Sequence, residues 1–120
     1  MSAIELPNWR KACVQALEFL QRPGSWTQRT NGIYEDGTEV SIRDLLSGNR
    51  NPQCLCVYAA FFLGAGRAFP DDQKHAEHAA RAAVSKFREM FGTNPVWWND
   101  AFLRTQGDVV ERLQWMIAIV

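Results

Sequence analysis

The stretch Gln53 to Ala65, QCLCVYAAFFLGA, is apolar around nearly its whole circumference when wound as a helix. A helix apolar on every side belongs in a core or in a membrane. This one falls short of the roughly 20 residues that a bilayer span needs. It therefore reads as a central helix with the remainder of the chain wrapped around it. Just ahead, Asn51-Pro52 supplies an N-cap and a proline at the first helical position, which places Cys54 in the first turn.

Working outward, Pro7-Asn8 precedes an apolar ladder of Trp9, Cys13, Ala16, Leu17 and Leu20, one face of a first helix, which Pro23-Gly24 stops. Between Asn31 and Val40 the helical period vanishes. Asn31-Gly32 and Asp36-Gly37 are turn dipeptides, and Ile33-Tyr34 with Thr38-Glu39-Val40 suit a short hairpin that must lean on the helices. Ser41 to Asp44 resembles a capping box for one or two helical turns ending at Gly48. Pro70-Asp71 opens a third long helix, with Ala76, Ala80, Ala83, Phe87 and Met90 or Phe91 on one face and Gly92 at its end. The segment Thr93 to Arg104, which contains VWWND, reads as irregular. Thr105 caps a final helix whose inner face is Val109, Val110, Leu113, Met116, Ile117 and Val120, leaving Trp115 and Ile119 on a different side. The expected fold class is mainly α, with α+β as the alternative. It comprises four helices built around a central apolar one, with a short β-hairpin inserted after the first helix, in a single domain of residues 1–120.

Composition narrows the function classes. The 120 residues carry thirteen basic and thirteen acidic side chains, with no run of either sign longer than two. No basic stripe tracks phosphates, so charge gives no reason to expect nucleic acid. Arginine outnumbers lysine ten to three, which suits bidentate contacts. Three cysteines cannot form a fully paired framework within one chain, and the N-terminal MSAIELPNWRK lacks the order of a secretory signal. The expectation is a cytoplasmic protein with free thiols, no membrane association and no cofactor.

Among chemical candidates, Cys54 in a helical first turn would feel the unpaired N–H groups and dipole that favour a thiolate. Cysteine is equally a small core residue, and that reading applies to Cys13, Cys54 and Cys56 alike. His75 and His78 are three apart and share a helix face near Asp71, Asp72 and Glu77, a start on a metal site that lacks a third ligand at fixed spacing. They serve as runner-up partners for Cys54. The chain order Gln28, Cys54, His75 or His78, Asn99 is that of papain-type cysteine proteases. Those enzymes, however, place glutamine within a few residues of cysteine and need a β-rich second half.

The tryptophans argue for binding. There are five, and two are adjacent in Val96-Trp97-Trp98-Asn99-Asp100. Neighbouring side chains in an irregular segment rarely both point inward, so one ring should reach the surface, where tryptophan is a frequent hot spot. The equal alternative is that both rings cover the open end of the helical core, with Asn99 and Asp100 turning the chain through Asx hydrogen bonds. The binding candidates are Trp97, Trp98, Asp100, Arg104, Arg112 and Trp115, forming an apolar patch with a charged rim.

Trp26-Thr27-Gln28, Cys56-Val57-Tyr58-Ala59-Ala60, Trp98-Asn99-Asp100 and Thr105 ahead of Val109 together resemble a small bacterial and phage domain family of unknown function. There, Trp-x-Gln precedes an Asp-Gly turn, a Cys-x-x-Gly-Ala run and a late aromatic-Asn-Asp turn before the last helix. Arg29 stands where that family usually has glycine, and Ala59 replaces the glycine after the cysteine. The resemblance implies the helical order and a bacterial or phage setting, and it brings no activity. The function expected is a small protein-binding or regulatory protein without catalysis, of the phage or mobile-element accessory type, such as a host-defence inhibitor. Two alternatives are a thiol-dependent hydrolase or transferase using Cys54, and a structural homodimer joined through Trp115 and Ile119.

Overall fold

The computed structural model describes residues 8–47 and 50–118. In chain order these form α1 (Asn8–Leu20), β1 (Gly32–Ile33), α2 (Ile42–Ser47), β2 (Cys54–Leu55), α3 (Val57–Ala68), α4 (Gln73–Phe91), α5 (Pro95–Asn99) and α6 (Gln106–Ala118). The fold is mainly α with a small antiparallel β element, as the periodicity implies. Among the described residues no helix is long and apolar enough to cross a membrane.

The central position belongs to α3, which packs on α1, α4, α2 and α5. Its residues Val57, Ala59 to Gly66 are buried, with Leu55 alongside. Close approach depends on small residues. A Cβ added at Gly64 would collide with the Ala12 carbonyl oxygen and lie 2.8 Å from the Ala16 nitrogen of α1, while one at Gly66 would lie 2.7 Å from the Leu45 carbonyl oxygen of α2. The α4 ladder closes the other side through Ala76, Ala80, Ala83 and Phe87, and its end is set by Gly92 in the left-handed region at φ 68°. Phe87 makes edge contacts with Phe61, Phe91 and Trp98 at centroid distances of 6.3, 4.9 and 5.6 Å. This aromatic ladder runs from the core toward the far end of α4.

The entry to α3 differs from the sequence expectation. The helix begins at Val57, and residues 53–56 are extended. Leu55 N donates to Ser25 O, Cys56 N to Asn31 O and Gln53 N to Ile33 O, at 2.8 to 3.0 Å. These donors are taken by the 25–33 strand segments, so they are lost to a helix starting at Pro52. The N-cap is Cys56, whose Sγ accepts from Ala59 N at 3.4 Å, in place of Asn51. Cys54 therefore lies in β2, opposite Ile33, and not in a helical first turn.

The hairpin after α1 forms as expected, with Tyr34 N donating to Thr38 O and Val40 N to Gly32 O. Its first strand is also the partner of β2, in the register Gly32 to Leu55 and Ile33 to Cys54. The segment 93–104 is more regular than its composition implies. Asn94 Oδ1 accepts from Val96 N at 2.8 Å and Pro95 occupies the first position of the short helix α5. At α6 the expected cap is present in reciprocal form: Asp108 N donates to Thr105 Oγ1 and Thr105 N to Asp108 Oδ2. Val109, Leu113 and Met116 are buried and Trp115 faces outward. Gly48, Ile119 and Val120 lie outside the described residues.

Candidate functional site

Asn99 organises the end of the molecule where the tryptophans gather. Its side chain is fully buried and saturated. Oδ1 accepts from Trp26 Nε1 at 2.7 Å and from Val57 N at 2.9 Å, while Nδ2 donates to Thr27 O and Asp100 Oδ1, each at 3.0 Å. Gln28 Nε2 adds bonds to the Asn99 and Ala101 carbonyls, and Arg29 N donates to Asp100 Oδ1. One amide thus fastens the loop after α1, the first turn of α3 and the end of α5. Trp26, Gln28, Asn99 and Asp100, quoted above for their resemblance to a family pattern, meet here as a structural clamp. Arg29, at the position where that pattern has glycine, has φ 68°, a conformation glycine adopts freely and other residues at a cost.

The two adjacent tryptophans part company. Trp97 is 77% exposed, whereas Trp98 is 8% exposed and fixed edge-on against Phe87. The buried ring forms the floor of an open cleft of about 570 Å³ between the end of α4 and the outer side of α6. Met90 and Phe91 line it from α4, Arg104 from the α5–α6 connection, and Asp108, Glu111, Arg112 and Trp115 from α6. The Arg104 guanidinium lies 4.2 Å from the Trp98 ring centroid, and its Nε donates to the Trp98 carbonyl at 2.9 Å. The Arg112 guanidinium lies 5.1 Å from the same ring and 4.5 Å from that of Phe91. Trp115, 62% exposed, stands at the wall.

Of the binding candidates, Trp98, Arg104, Arg112 and Trp115 come together in this cleft. Trp97 borders a separate depression with Arg88, Gly92 and Asn94, and Asp100 is turned inward to the clamp instead of standing on the cleft's rim. Phe102 and Leu103, 87% and 79% exposed, fall within the expected 96–104 patch but were not singled out from the sequence. The available signal was their position: two large apolar residues directly after the Asn99-Asp100 turn, outside every helical ladder. Leu103 is also held at φ 67°. A bulky side chain in the left-handed region is strained by about 1–2 kcal/mol.

The thiol candidates are dispersed. Cys54 is half-buried in β2. His75 is occupied elsewhere: its ring stacks on Phe69 at 4.3 Å, and its Nε2 accepts from Asn8 Nδ2 at 2.8 Å, tying α4 to the start of α1. His78 is exposed on the same helix, beside a shallow surface with Asp72 and Lys74. Among the described residues no three His, Cys, Asp or Glu side chains group as metal ligands. Cys56 borders a smaller pocket of about 270 Å³ with Arg29, Glu39 and Asp100. Burial pushes its thiol up to about 11 despite the N–H groups of Ala59 and Tyr58 around it, and pushes that of Cys13 up to about 12. Both are neutral thiols near pH 7, poorly suited to attack.

No curated protein and no solved structure matches the chain. Residues 11–119 match the family model DUF6197, described as a family of unknown function, and the chain belongs to that family.

Proposed function

We propose that the protein is a small non-catalytic module that binds another protein through the end formed by α5, the 100–105 connection and the outer side of α6. The observation that carries this reading is the treatment of Leu103. A large apolar side chain is kept in water on a backbone that disfavours it, next to exposed Phe102 and directly before Arg104, which lines the cleft with Trp115. Large apolar side chains exposed next to one another, as Phe102 and Leu103 are, mark interaction sites on small domains, and local strain collects at functional positions. The dispersal of Cys54, His75 and His78, together with the raised Cys56 thiol, weighs against the thiol-enzyme alternative. An accessory role, regulating or inhibiting a larger complex, suits a chain of this size with one such end.

The test is partner capture by cross-linking from the source cells, with wild type beside Leu103→Gly and Trp115→Ala. Leu103→Gly relieves the backbone strain as it removes the side chain, so its stability should hold or rise while capture falls at least tenfold. A partner set unchanged by both substitutions overturns the reading. Capture of the chain by itself, with a dimer in sedimentation that Trp115→Ala dissociates, replaces it by the homodimer alternative.

A further inference from the structure

Arg104 and Arg112 present a combination that the folded chain itself leaves incomplete. Both guanidiniums rest against the Trp98 ring, at 4.2 and 5.1 Å from its centroid. Neither has an ion-pair partner among the described residues, whose ion pairs lie elsewhere on the surface. Two like charges gathered on one ring repel each other, and an anion shared between them would offset that repulsion. Stacking does not use up a guanidinium's donors, because its N–H groups point outward in the plane of the fork. Arg104 commits only Nε, to the Trp98 carbonyl. Asp108 and Glu111 also line the cleft, but neither forms an ion pair with Arg104 or Arg112; Asp108 Oδ2 instead accepts from Thr105 N.

From this we propose that the cleft recognises acidic side chains of a partner polypeptide, with an adjacent apolar side chain seated against Trp98, Phe91 and Trp115. The inference rests on the protein-binding reading above and names the chemistry of the partner. Three features select this occupant. The unspent donors are a pair of guanidinium forks, which match carboxylate geometry bidentately. At the α4 end and along residues 111–115 of α6 the backbone N–H groups bond within the helices, so the walls there offer no main-chain donors to a chain terminus. Asp108 and Glu111 on the α6 side lower the positive field without pairing the arginines, which disfavours a multiply charged phosphate more than a single carboxylate. The platform is also pre-organised, since Trp98 is fixed by Phe87 and Phe87 by the core, which reduces the ordering cost of binding.

The probes are the blocked peptides acetyl-Glu-Phe-Glu-amide, its Gln-Phe-Gln and Lys-Phe-Lys counterparts, and phenyl phosphate. Each is titrated into the full chain while the side-chain N–H signals of Arg104, Trp98 and Trp115 are followed by NMR. The glutamate peptide should bind at least tenfold more tightly than the glutamine peptide, with the lysine peptide weakest, and salt should erode that preference. Arg112→Met should abolish the preference. Arg112→Lys, which keeps the charge without the fork, should lose most of it while retaining the salt dependence. Equal binding of the glutamate and glutamine peptides, a preference for lysine, or tighter binding of phenyl phosphate overturns the proposal. The two readings fail separately. If Arg112→Met leaves cellular capture intact while Leu103→Gly abolishes it, docking stands and carboxylate recognition falls. If neither substitution changes capture, both fall.

Discussion

Replacing Asn99 by alanine tests whether one buried amide holds the α5 end of the molecule together. The substitution deletes four hydrogen bonds, of 2.7, 2.9, 3.0 and 3.0 Å. Asp100 Oδ1 keeps a second donor in Arg29 N, so its loss is small. Three groups are left without the partner they had: the Val57 amide at the head of α3, the Thr27 carbonyl, and the Trp26 indole N–H. A typical hydrogen bond contributes about 1 kcal/mol net, and a buried group left unpaired costs about 1–3 kcal/mol. The helix preference of alanine in α5 returns a few tenths of a kcal/mol. The expected loss is about 4 kcal/mol, a large share of the roughly 5–15 kcal/mol that stabilises a domain. Urea unfolding followed by circular dichroism measures it, with the m-value unchanged. Asn99→Asp sharpens the argument. It keeps both acceptor positions but removes both donors and places a carboxylate against Asp100 and the Thr27 carbonyl. It should be destabilised at pH 7 and recover part of the loss at pH 4–5, where a protonated acid donates again. A cost below about 1 kcal/mol for Asn99→Ala, against the magnitudes just used, or an Asn99→Asp variant as stable as wild type at pH 7, refutes the clamp.

Gly64→Ala should cost at least about 3 kcal/mol or abolish folding, because the added methyl meets the backbone of α1, which cannot swing aside as a side chain can; thermal melts decide it. Tyr34→Phe should raise stability by about 1 kcal/mol, since the buried Tyr34 hydroxyl has no hydrogen-bond partner and the ring's stacking under Arg50 survives the change. The buried thiols predict alkaline weakening. Their folded values, about 12 for Cys13 and about 11 for Cys56, stand above those of the unfolded chain, so the unfolded state releases protons first. Their stabilising contribution is complete below about pH 8.5 and is lost as pH rises toward the folded values. The urea midpoint should therefore fall from about pH 8.5 upward, and less steeply in Cys56→Ser, which keeps an N-cap side chain without that titration.

The helical ladders were legible because they repeat a local period. Cys13, Ala16, Leu20, Ala76, Ala80, Ala83, Phe87, Val109, Leu113 and Met116 are all buried where a single apolar face places them. The Gly92 stop and the Thr105 cap were legible because each is a chemical requirement of one helix end. The entry to α3 was not. Asn-Pro occurs twice, and the same dipeptide opens a helix at Asn94-Pro95 but not at Asn51-Pro52. Nothing local separates the two. After Pro52 the donors of residues 53, 55 and 56 are claimed by chain segments twenty or more positions away, a competition that a window of neighbouring residues does not contain.

The cleft around Trp98 was half legible for a related reason. That one of Trp97 and Trp98 would be exposed followed from their adjacency, but which one depends on α5, since a single helical turn points neighbouring residues about 100° apart. Trp98 turns toward Phe87 and becomes the floor on which Arg104 and Arg112 rest, leaving Trp97 in solvent. Asp100 looked like a rim charge because its sequence neighbours are aromatic, yet it is an acceptor for Arg29 N and Asn99 in the clamp. Asn99 fixes α5, α5 aims Trp98, and Trp98 seats the two arginines. A cleft whose aromatic and charged composition alone fixes no arrangement thereby acquires a defined geometry, and that geometry originates in Asn99, a buried residue outside the cleft lining.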